Sequence, residues 1–400
     1  MLKQYVHGLF IFICAAAILL LSACKGAAVP KPHSASVHEK TQSRSPAHAT
    51  QSQKSGIGTQ QGGSRQGVTL NLRNNVSTLA GKVGMAGATD GVNAQADFDS
   101  PKGITTDGSS LYLADSNNHT IRKIDIATGM VTTLAGLAGK KGSSDGRGTN
   151  ARFNRPFAIT TDGNSLYVTD SNNHTIRQIE IETGVVTTIA GGVGEVGYVD
   201  GIAKRARFFI PEGITVVGNY LYVSDTHNHS VRKISLESRM VTTIAGMSGA
   251  PGFFDDAGSK ARFSYPKGIT SDGQQLYLAD FGNSQIRKIS IRNGIVNTLS
   301  GTVMKQVNAE EQVEVAQFNY PSGITTDGRN LYVADTFNRS IRKIVISTGF
   351  VTTIAGAEEK EGSVDGIGTE AHFKDPVGIT TDGSSIFVTD SSDHLVRKIR

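Results

Sequence analysis

The feature that most constrains this chain is a stretch from Pro101 to Gly136 that returns five more times at a constant spacing of 55 residues. Its aspartate, Asp115, recurs at that interval as far as Asp390, the last of six copies. A fixed period of this length is the signature of a repeat architecture, in which each unit packs mainly against its neighbours. The repeats therefore restrict the possible folds more tightly than composition does.

Each unit is predicted to form four short β-strands. The first unit predicts strand a at 103–106, strand b at 111–114, strand c at 120–126 and strand d at 131–135. Asp107-Gly108 between strands a and b is a strong hairpin signal. One four-stranded antiparallel sheet cannot bury both of its faces, and radial packing of several sheets into a β-propeller solves that problem.

The number of blades follows from the two ends of the repeat region. The sixth unit stops at Arg400, after strand c, and its missing strand d matches Val76–Gly81, which lies 55 residues before the strand d that begins at Val131. A ring closed by its two termini explains both observations. The sequence therefore predicts an all-β, six-bladed β-propeller of four-stranded antiparallel blades, closed by an N-terminal strand that completes the last blade.

The repeated phrase F-x-x-P-x-G-I-T-T-D-G-x-x-L-Y-V-A-D-x-x-N-H-x-I-R-K-I resembles the NHL repeat. The Asn-His pair of that repeat is present at Asn118-His119, Asn173-His174 and Asn228-His229, and the other three units depart from it. The resemblance covers residues 76 to 400. It implies a six-bladed propeller that serves mainly as a binding platform, with a minority of relatives acting as enzymes.

The N-terminal segment is predicted to direct export. Lys3 precedes an apolar run from Gly8 to Leu21, which is too short for a membrane-spanning helix but typical of a signal peptide, here residues 1–23. The following Cys24 completes a resemblance to the bacterial lipobox, which implies that this cysteine is acylated and anchors the protein in the membrane. By the same resemblance, Lys25 favours the outer membrane, with the periplasmic or surface side left open.

Residues 24–66 are predicted to be a disordered linker, and residues 67–400 the propeller. The linker is rich in Ser, Gln, His and Gly and has almost no large apolar side chain. Residues 1–66 carry seven Lys or Arg and one acidic residue of the chain totals of 40 and 35, which leaves 33 basic and 34 acidic residues for the propeller. A nucleic-acid-binding domain would show an excess of basic residues, so no nucleic acid is expected as a partner.

A repeated Arg on strand c is predicted to lie between blades, with the repeated Asp or turn carbonyl groups as its partners, since buried charge needs a partner. These structural residues are Asp115, Asp170, Asp225, Asp280, Asp335, Asp390, Arg122, Arg177, Arg232, Arg287, Arg342 and Arg397. Catalysis requires one convergent constellation, whereas these residues come in six copies. We therefore assign them no catalytic role.

Binding is expected where the repeats differ, on the face formed by the b–c turns and the d–a loops. The candidate residues on this rim are Lys102, Phe157, Glu212, Lys267, His227, Phe281 and Phe337. A mixed aromatic and charged rim suits contact with a protein or peptide. The sequence does not identify the ligand.

No cofactor or metal ion is expected. The repeated histidines His119, His174, His229 and His394 should lie too far apart in a ring of blades to meet at one metal ion, and we interpret them as turn-stabilising. The favoured function is a lipid-anchored envelope protein that binds a protein, peptide or glycan. The alternative is an enzyme of the lactonase or lyase type with a metal ion near the central channel.

Overall fold

The structure is a computed structural model that describes residues 70–301 and 317–400. Its strands form six antiparallel sheets of four or five strands each, packed as blades around a central axis. The predicted six-bladed, all-β propeller is confirmed. The predicted signal peptide, Cys24 and the linker lie outside the described residues, and so does the divergent d–a loop at 302–316.

Four strands in each blade follow the prediction, with blade 1 beginning at Pro101. The innermost strands a are Pro101–Thr106, Pro156–Thr161, Pro211–Val217, Ile269–Ser271, Pro321–Thr326 and Pro376–Thr381. Strands b are Ser110–Asp115, Ser165–Asp170, Tyr220–Asp225, Gln275–Asp280, Asn330–Asp335 and Ile386–Asp390. Strands c are Thr120–Asp125, Thr175–Glu180, Ser230–Ser235, Gln285–Ser290, Ser340–Val345 and Leu395–Ile399. The outer strands d of blades 1 to 5 are Met130–Gly136, Val185–Ala190, Met240–Gly246, Val296–Ser300 and Val351–Gly356.

The d–a loops add structure that the sequence did not predict. In four blades a two-residue strand from the loop pairs with the outer edge of strand d; these strands are Gly91–Val92, Gly146–Arg147, Gly201–Ile202 and Gly366–Ile367. Short 3₁₀ helices in these loops are Asn93–Gln95, Gly148–Asn150, Ala203–Arg205, Gly258–Lys260 and Gly368–Glu370. Others in the b–c turns are Ser171–Asn173, Thr226–Asn228, Phe281–Asn283, Thr336–Asn338 and Ser391–Asp393. The loop strands cover edges that would otherwise expose unpaired backbone groups.

The N-terminal strand closes the ring as predicted. Asn75–Ala80 pairs antiparallel with Leu395–Ile399, so that Val76 lies opposite Ile399, and it supplies the outer strand d of blade 6. Just before this strand, the backbone N–H of Leu70 donates to Asp327 Oδ2 at 3.4 Å. Asp327 lies in an a–b turn, at the end of the blades opposite the b–c turns.

The hydrophobic core is divided among the seams between blades. In the seam between blades 1 and 2, Tyr112 of one blade packs with Ile159 and Val168 of the next, and Phe153 from the d–a loop fills the space between them. All four side chains are buried. None of the described helices is long and apolar enough to cross a membrane.

Strands a surround a narrow axial cavity of about 150 Å³, lined by repeated Gly, Ile and Thr residues. The glycines allow neighbouring blades to approach the axis closely: a Cβ on Gly323 would lie 2.2 Å from the carbonyl oxygen of Val377, and one on Gly378 would lie 2.1 Å from that of Lys102. The b–c turns and the d–a loops surround one end of this cavity. We call that end of the molecule the loop-rich face.

Candidate functional site

The repeated Arg and Asp residues meet in the interior of each blade. Nη1 of Arg122 donates to Asp115 Oδ2 at 2.7 Å and to the carbonyl oxygen of Asp97, while Nη2 donates to Asp90 Oδ1 at 2.8 Å and to the carbonyl oxygen of Thr89. The same strand pair recurs as Arg177–Asp170 at 2.7 Å, Arg232–Asp225 at 2.7 Å, Arg287–Asp280 at 2.6 Å, Arg342–Asp335 at 3.3 Å and Arg397–Asp390 at 3.6 Å. The guanidinium groups thus hold the d–a loop against strands b and c.

The second carboxylate on each Arg was not predicted. It comes from an Asp of the d–a loop, which in four blades precedes the short loop strand, and it recurs as Asp145, Asp200, Asp255 and Asp365. In blade 5 the equivalent residue, Glu310, lies outside the described residues. The repeated Asp-Gly in the d–a loops was the sequence feature that could have pointed to this carboxylate. By itself, however, Asp-Gly indicates a turn rather than an ion pair.

Burial has the largest effect on the pKa of the aspartate in these pairs. It raises the pKa of Asp115 to about 6, against the attraction of Arg122 and hydrogen bonds from Asn118 and the backbone of Asp99. Asp115 accepts hydrogen bonds from Arg122, Asn118 and the backbone N–H of Asp99, an arrangement that suits an ionised carboxylate. Both side chains are fully buried, so loss of Arg122 would leave the Asp115 charge uncompensated.

The repeated histidines connect neighbouring blades at the loop-rich face. His119 adopts a left-handed backbone conformation with φ of 59°, and its Nδ1 accepts a hydrogen bond from the backbone N–H of Arg155 in the next blade at 3.1 Å. His174, His229 and His394 make the same bond to Ile210, Tyr265 and Ser100. The imidazole can accept this bond only while Nδ1 is unprotonated.

A second bond across the seam comes from the first residue of the b–c turn. The hydroxyl of Ser116 donates to the carbonyl oxygen of Pro156 in the next blade, and the hydroxyl of Thr226 donates to that of Pro266 at 2.7 Å. Equivalent bonds join Ser171 to Pro211, Thr336 to Pro376 and Ser391 to Pro101. In blade 4 this position is Phe281, which has no hydroxyl group.

Aromatic side chains are concentrated on blades 3 to 5 of the loop-rich face. We call this group the aromatic arc; its members are Phe209, His227, Tyr265, Phe281, Tyr320 and Phe337. His227 lies between Phe209 and Tyr265, at centroid distances of 4.9 and 5.4 Å. Tyr320 lies between Phe281 and Phe337, at 4.9 and 5.0 Å. The structure therefore groups three predicted rim residues, His227, Phe281 and Phe337, with aromatic neighbours.

Three members of the arc were missed by the sequence analysis. Tyr265 and Tyr320 immediately precede the repeated proline and have φ values of 47° and 52°, and Phe209 lies one residue further upstream. The residue before the proline is of five different types in the six units, and only tyrosine occurs twice. This variation among the repeats is the sequence feature that could have identified these aromatic residues as candidates.

The residue that follows the repeated proline lies at the mouth of the axial cavity, which we call the channel mouth. Lys267 Nζ lies 3.5 Å from Glu212 Oε2, 3.9 Å from the ring centroid of Phe281 and 5.5 Å from that of Phe157. Lys102 is on another blade, with its Nζ 3.7 Å from Asp375 Oδ2. The structure thus brings Phe157, Glu212, Lys267 and Phe281 together.

Burial lowers the pKa of two groups near the mouth. Lys102 is affected mainly by burial, and the positive charge of Lys267 lowers its pKa further while Asp375 opposes the change. Burial also lowers the pKa of His227, against the influence of Glu212. Among the described residues, no three His, Cys, Asp or Glu side chains form a group that could hold a metal ion.

Comparisons with known proteins agree with the repeat pattern and the fold. No family model matches the chain. NHL repeat-containing protein 2 of Bos taurus is 27% identical over 315 residues, which cover 70% of this chain and 43% of that protein. The chain thus spans less than half the length of this curated relative.

Two solved structures share the fold. A protein of unknown function from Bacteroides thetaiotaomicron has a TM-score of 0.61 at 22% identity, covering 81% of this chain and 75% of that one. An auxiliary nutrient binding protein from the same organism has a TM-score of 0.57 at 18% identity, covering 81% and 76%. The Asn-His signature, the closed ring of six repeats and the relatives of that name together support the NHL-repeat family for this chain.

Proposed function

We propose that this protein is a lipid-anchored binding protein of the bacterial cell envelope that captures a protein, peptide or glycan on the loop-rich face of its propeller. The observation that carries the proposal is the aromatic arc. It occupies repeat positions at which the other blades carry small or polar residues, such as Asn117 and Ser392 at the position of Phe337.

The arc has the properties of a contact surface. Phe337 is 57% exposed, Tyr320 42% and Tyr265 36%, although all three pack against other rings. Rigid aromatic side chains supply large contact areas and lose little conformational entropy on binding. The channel mouth beside the arc adds charged groups that can orient a ligand.

Other features support a binding role. The auxiliary nutrient binding protein has the same kind of fold, and the repeated Arg and Asp residues are occupied in holding the d–a loops against strands b and c. The lipid anchor rests on the lipobox-like sequence ending at Cys24. Cys24→Ser is expected to give an uncleaved or soluble product, and unaltered membrane partition would contradict the anchor.

The binding proposal is tested by crosslinking in intact cells with two matched variants of blade 5. Phe337→Ala removes an exposed ring from the loop-rich face, whereas Phe350→Ala removes one that is 65% exposed at the opposite end of the blade. We expect the first variant to lose a species that the wild-type protein captures, and the second to retain it. Equal capture by both variants would contradict binding through the arc.

We propose binding rather than catalysis, and metal analysis of the purified protein separates the two functions. A tightly bound ion at one per chain would favour the lactonase or lyase alternative. The binding proposal expects no stoichiometric ion.

A further inference from the structure

The channel mouth breaks the symmetry of the repeat more strongly than the strands below it. One repeat position carries two lysines, a glutamate, an aromatic ring, a hydroxyl and an aliphatic side chain; these are Lys102, Lys267, Glu212, Phe157, Ser322 and Val377. Lys102 belongs to blade 1 and Lys267 to blade 4, so the two ammonium groups approach the axis from opposite sides of the ring. A purely structural position would repeat one kind of residue.

The charges at the mouth are incompletely satisfied. The lysine side chains are only 18% and 20% exposed, and their separations from Asp375 and Glu212, 3.7 and 3.5 Å, are longer than an ordinary N–H···O hydrogen bond. Glu212 Oε2 is buried and accepts no hydrogen bond from any described residue. Buried charges with unused hydrogen-bonding capacity are costly, and a ligand with acceptor groups can supply the partners that the two lysines lack.

The sign of the preferred ligand charge follows from the lysines. Burial disfavours the protonated form of Lys102, the charge of Asp375 opposes this effect, and the charge of Lys267 adds to it. The carboxylates beside the lysines lie at 3.7 and 3.5 Å, so each ammonium group retains donors that an anion between them can use.

The side chains that line the mouth limit the size and polarity of the uncharged part of the ligand. Phe157 and Phe281 lie beside Lys267, and the aliphatic side chain of Val377 lines the same opening. Below them, the cavity of about 150 Å³ admits only a small group. The surroundings therefore suit a compact organic molecule with an apolar or planar part next to its charge.

We propose that the channel mouth binds the carboxylate of a small organic acid between Lys102 and Lys267, with the apolar part of the acid against Phe157 and Phe281. This site goes beyond the proposed capture of a partner by the aromatic arc; it shares Phe281 with the arc but does not depend on that capture. The mouth recognises a charge in a recess, whereas the arc offers an exposed surface.

Binding is tested on the purified full-length chain with benzoate as the probe and benzyl alcohol as its neutral analogue. Methyl NMR follows Val377 at the mouth, which is 6% exposed, and Val364 in a d–a loop, which is 49% exposed. We expect benzoate to shift the Val377 signals saturably and to leave Val364 unchanged, and benzyl alcohol to bind at least about tenfold more weakly because it lacks the charge. Equal effects of the two probes, or no shift of Val377, would overturn the proposal.

Three lysine variants identify the groups that hold the anion. Lys102→Met and Lys267→Met retain most of the apolar stem and are each expected to weaken benzoate binding about tenfold or more. Lys288→Met changes a partly buried lysine on strand c and should leave the affinity unchanged. Wild-type affinity in both mouth variants would refute the assignment, and the wild-type titration remains decisive if a variant fails to fold.

The two proposals can fail separately. Phe337→Ala should bind benzoate like the wild type even if it no longer captures a macromolecular partner. Loss of benzoate binding in Lys102→Met with normal partner capture would support the acid site alone. Normal benzoate binding without any captured partner would leave the acid site intact and contradict the function proposed for the arc.

Discussion

The seam between blades 1 and 2 and the seam between blades 4 and 5 use the same repeat positions to make different contacts. At the first seam, Ser116 and His119 both form hydrogen bonds to the following blade. At the second seam, these positions are Phe281 and Ser284, and the bond from the Tyr320 N–H to Ser284 Oγ is long, at 3.3 Å. Phe281 instead packs against the ring of Tyr320.

The ion pairs inside the two blades that carry these turns are the same. Arg122–Asp115 in blade 1 and Arg287–Asp280 in blade 4 are both fully buried, at 2.7 and 2.6 Å. The differences between the turns of blades 1 and 4 therefore lie in the outermost layer of the loop-rich face. The repeat tolerates change where it borders solvent, and blade 4 has an aromatic contact in place of one hydrogen bond between blades.

The largest effect is expected in the interior, where the comparison predicts no difference between blades 1 and 4. Asp115→Asn and Asp280→Asn each remove the buried one of the two carboxylates that pair with a buried guanidinium, which should lower the free energy of unfolding by about 3–5 kcal/mol. Urea unfolding measures this loss. Asp90→Asn is the control, because that carboxylate on Arg122 is 47% exposed and should cost only about 1 kcal/mol. A much smaller loss for Asp280→Asn would show that the interiors differ.

The double change Ser116→Phe and His119→Ser converts the first seam to the residue types of the second. It removes one hydrogen bond between blades and weakens the other, so the free energy of unfolding should fall by about 1–2 kcal/mol. Thermal and urea unfolding check this value. Unchanged stability would mean that the cross-seam bonds contribute nothing measurable.

The pH dependence of stability should differ between a seam with a histidine and a seam without one. Burial lowers the pKa of His229 from 6.5 to about 4, and its Nδ1 accepts a hydrogen bond from the N–H of Tyr265. As the pH falls from 6.5 towards 4, the unfolded chain takes up a proton before the folded chain does, so this contribution to stability is lost.

The matched variant for this prediction is His229→Ser, which copies Ser284 of the next blade. Between pH 7 and pH 5 the wild type should lose more stability than the variant, by on the order of 1 kcal/mol after allowance for solvent screening. Urea unfolding at the two pH values gives the difference, in which the contributions of the buried aspartates cancel. Equal losses of stability in the wild type and in the variant would contradict a neutral, hydrogen-bonded imidazole at His229.

The smallest effect is expected from the reverse exchange at the second seam. Phe281→Ser with Ser284→His restores the residue types of the first seam and should raise the free energy of unfolding by about 0.5–1 kcal/mol. The same variant loses part of the aromatic arc, so partner capture should decrease while stability increases. If the variant is more stable and still captures the partner normally, Phe281 does not contribute to binding.

The fold could be predicted from the sequence because its determinants repeat. The spacing of Asp115 and its copies fixed the repeat unit, and the strand at Val76 supplied the part missing after Arg400. The edge strand Gly91–Val92 was not predicted, since a two-residue pairing leaves no pattern in the chain.

The candidate site could be predicted only in part. Lys102, Glu212, Lys267 and Phe281 were selected because they vary at fixed repeat positions. The meeting of Lys267 with Phe281 depends on how loops fold over the mouth, and the position of Tyr265 depends on a left-handed backbone. Neither property follows from the local sequence.

The closing strand also determines where the preceding polypeptide meets the propeller. Leu70 contacts the a–b turn at Asp327, and the strand begins at Asn75 beside Arg400, on the side away from the aromatic arc and the channel mouth. Residues 70–74 therefore lead into the ring at the end opposite the loop-rich face, and they leave the aromatic arc and the channel mouth uncovered.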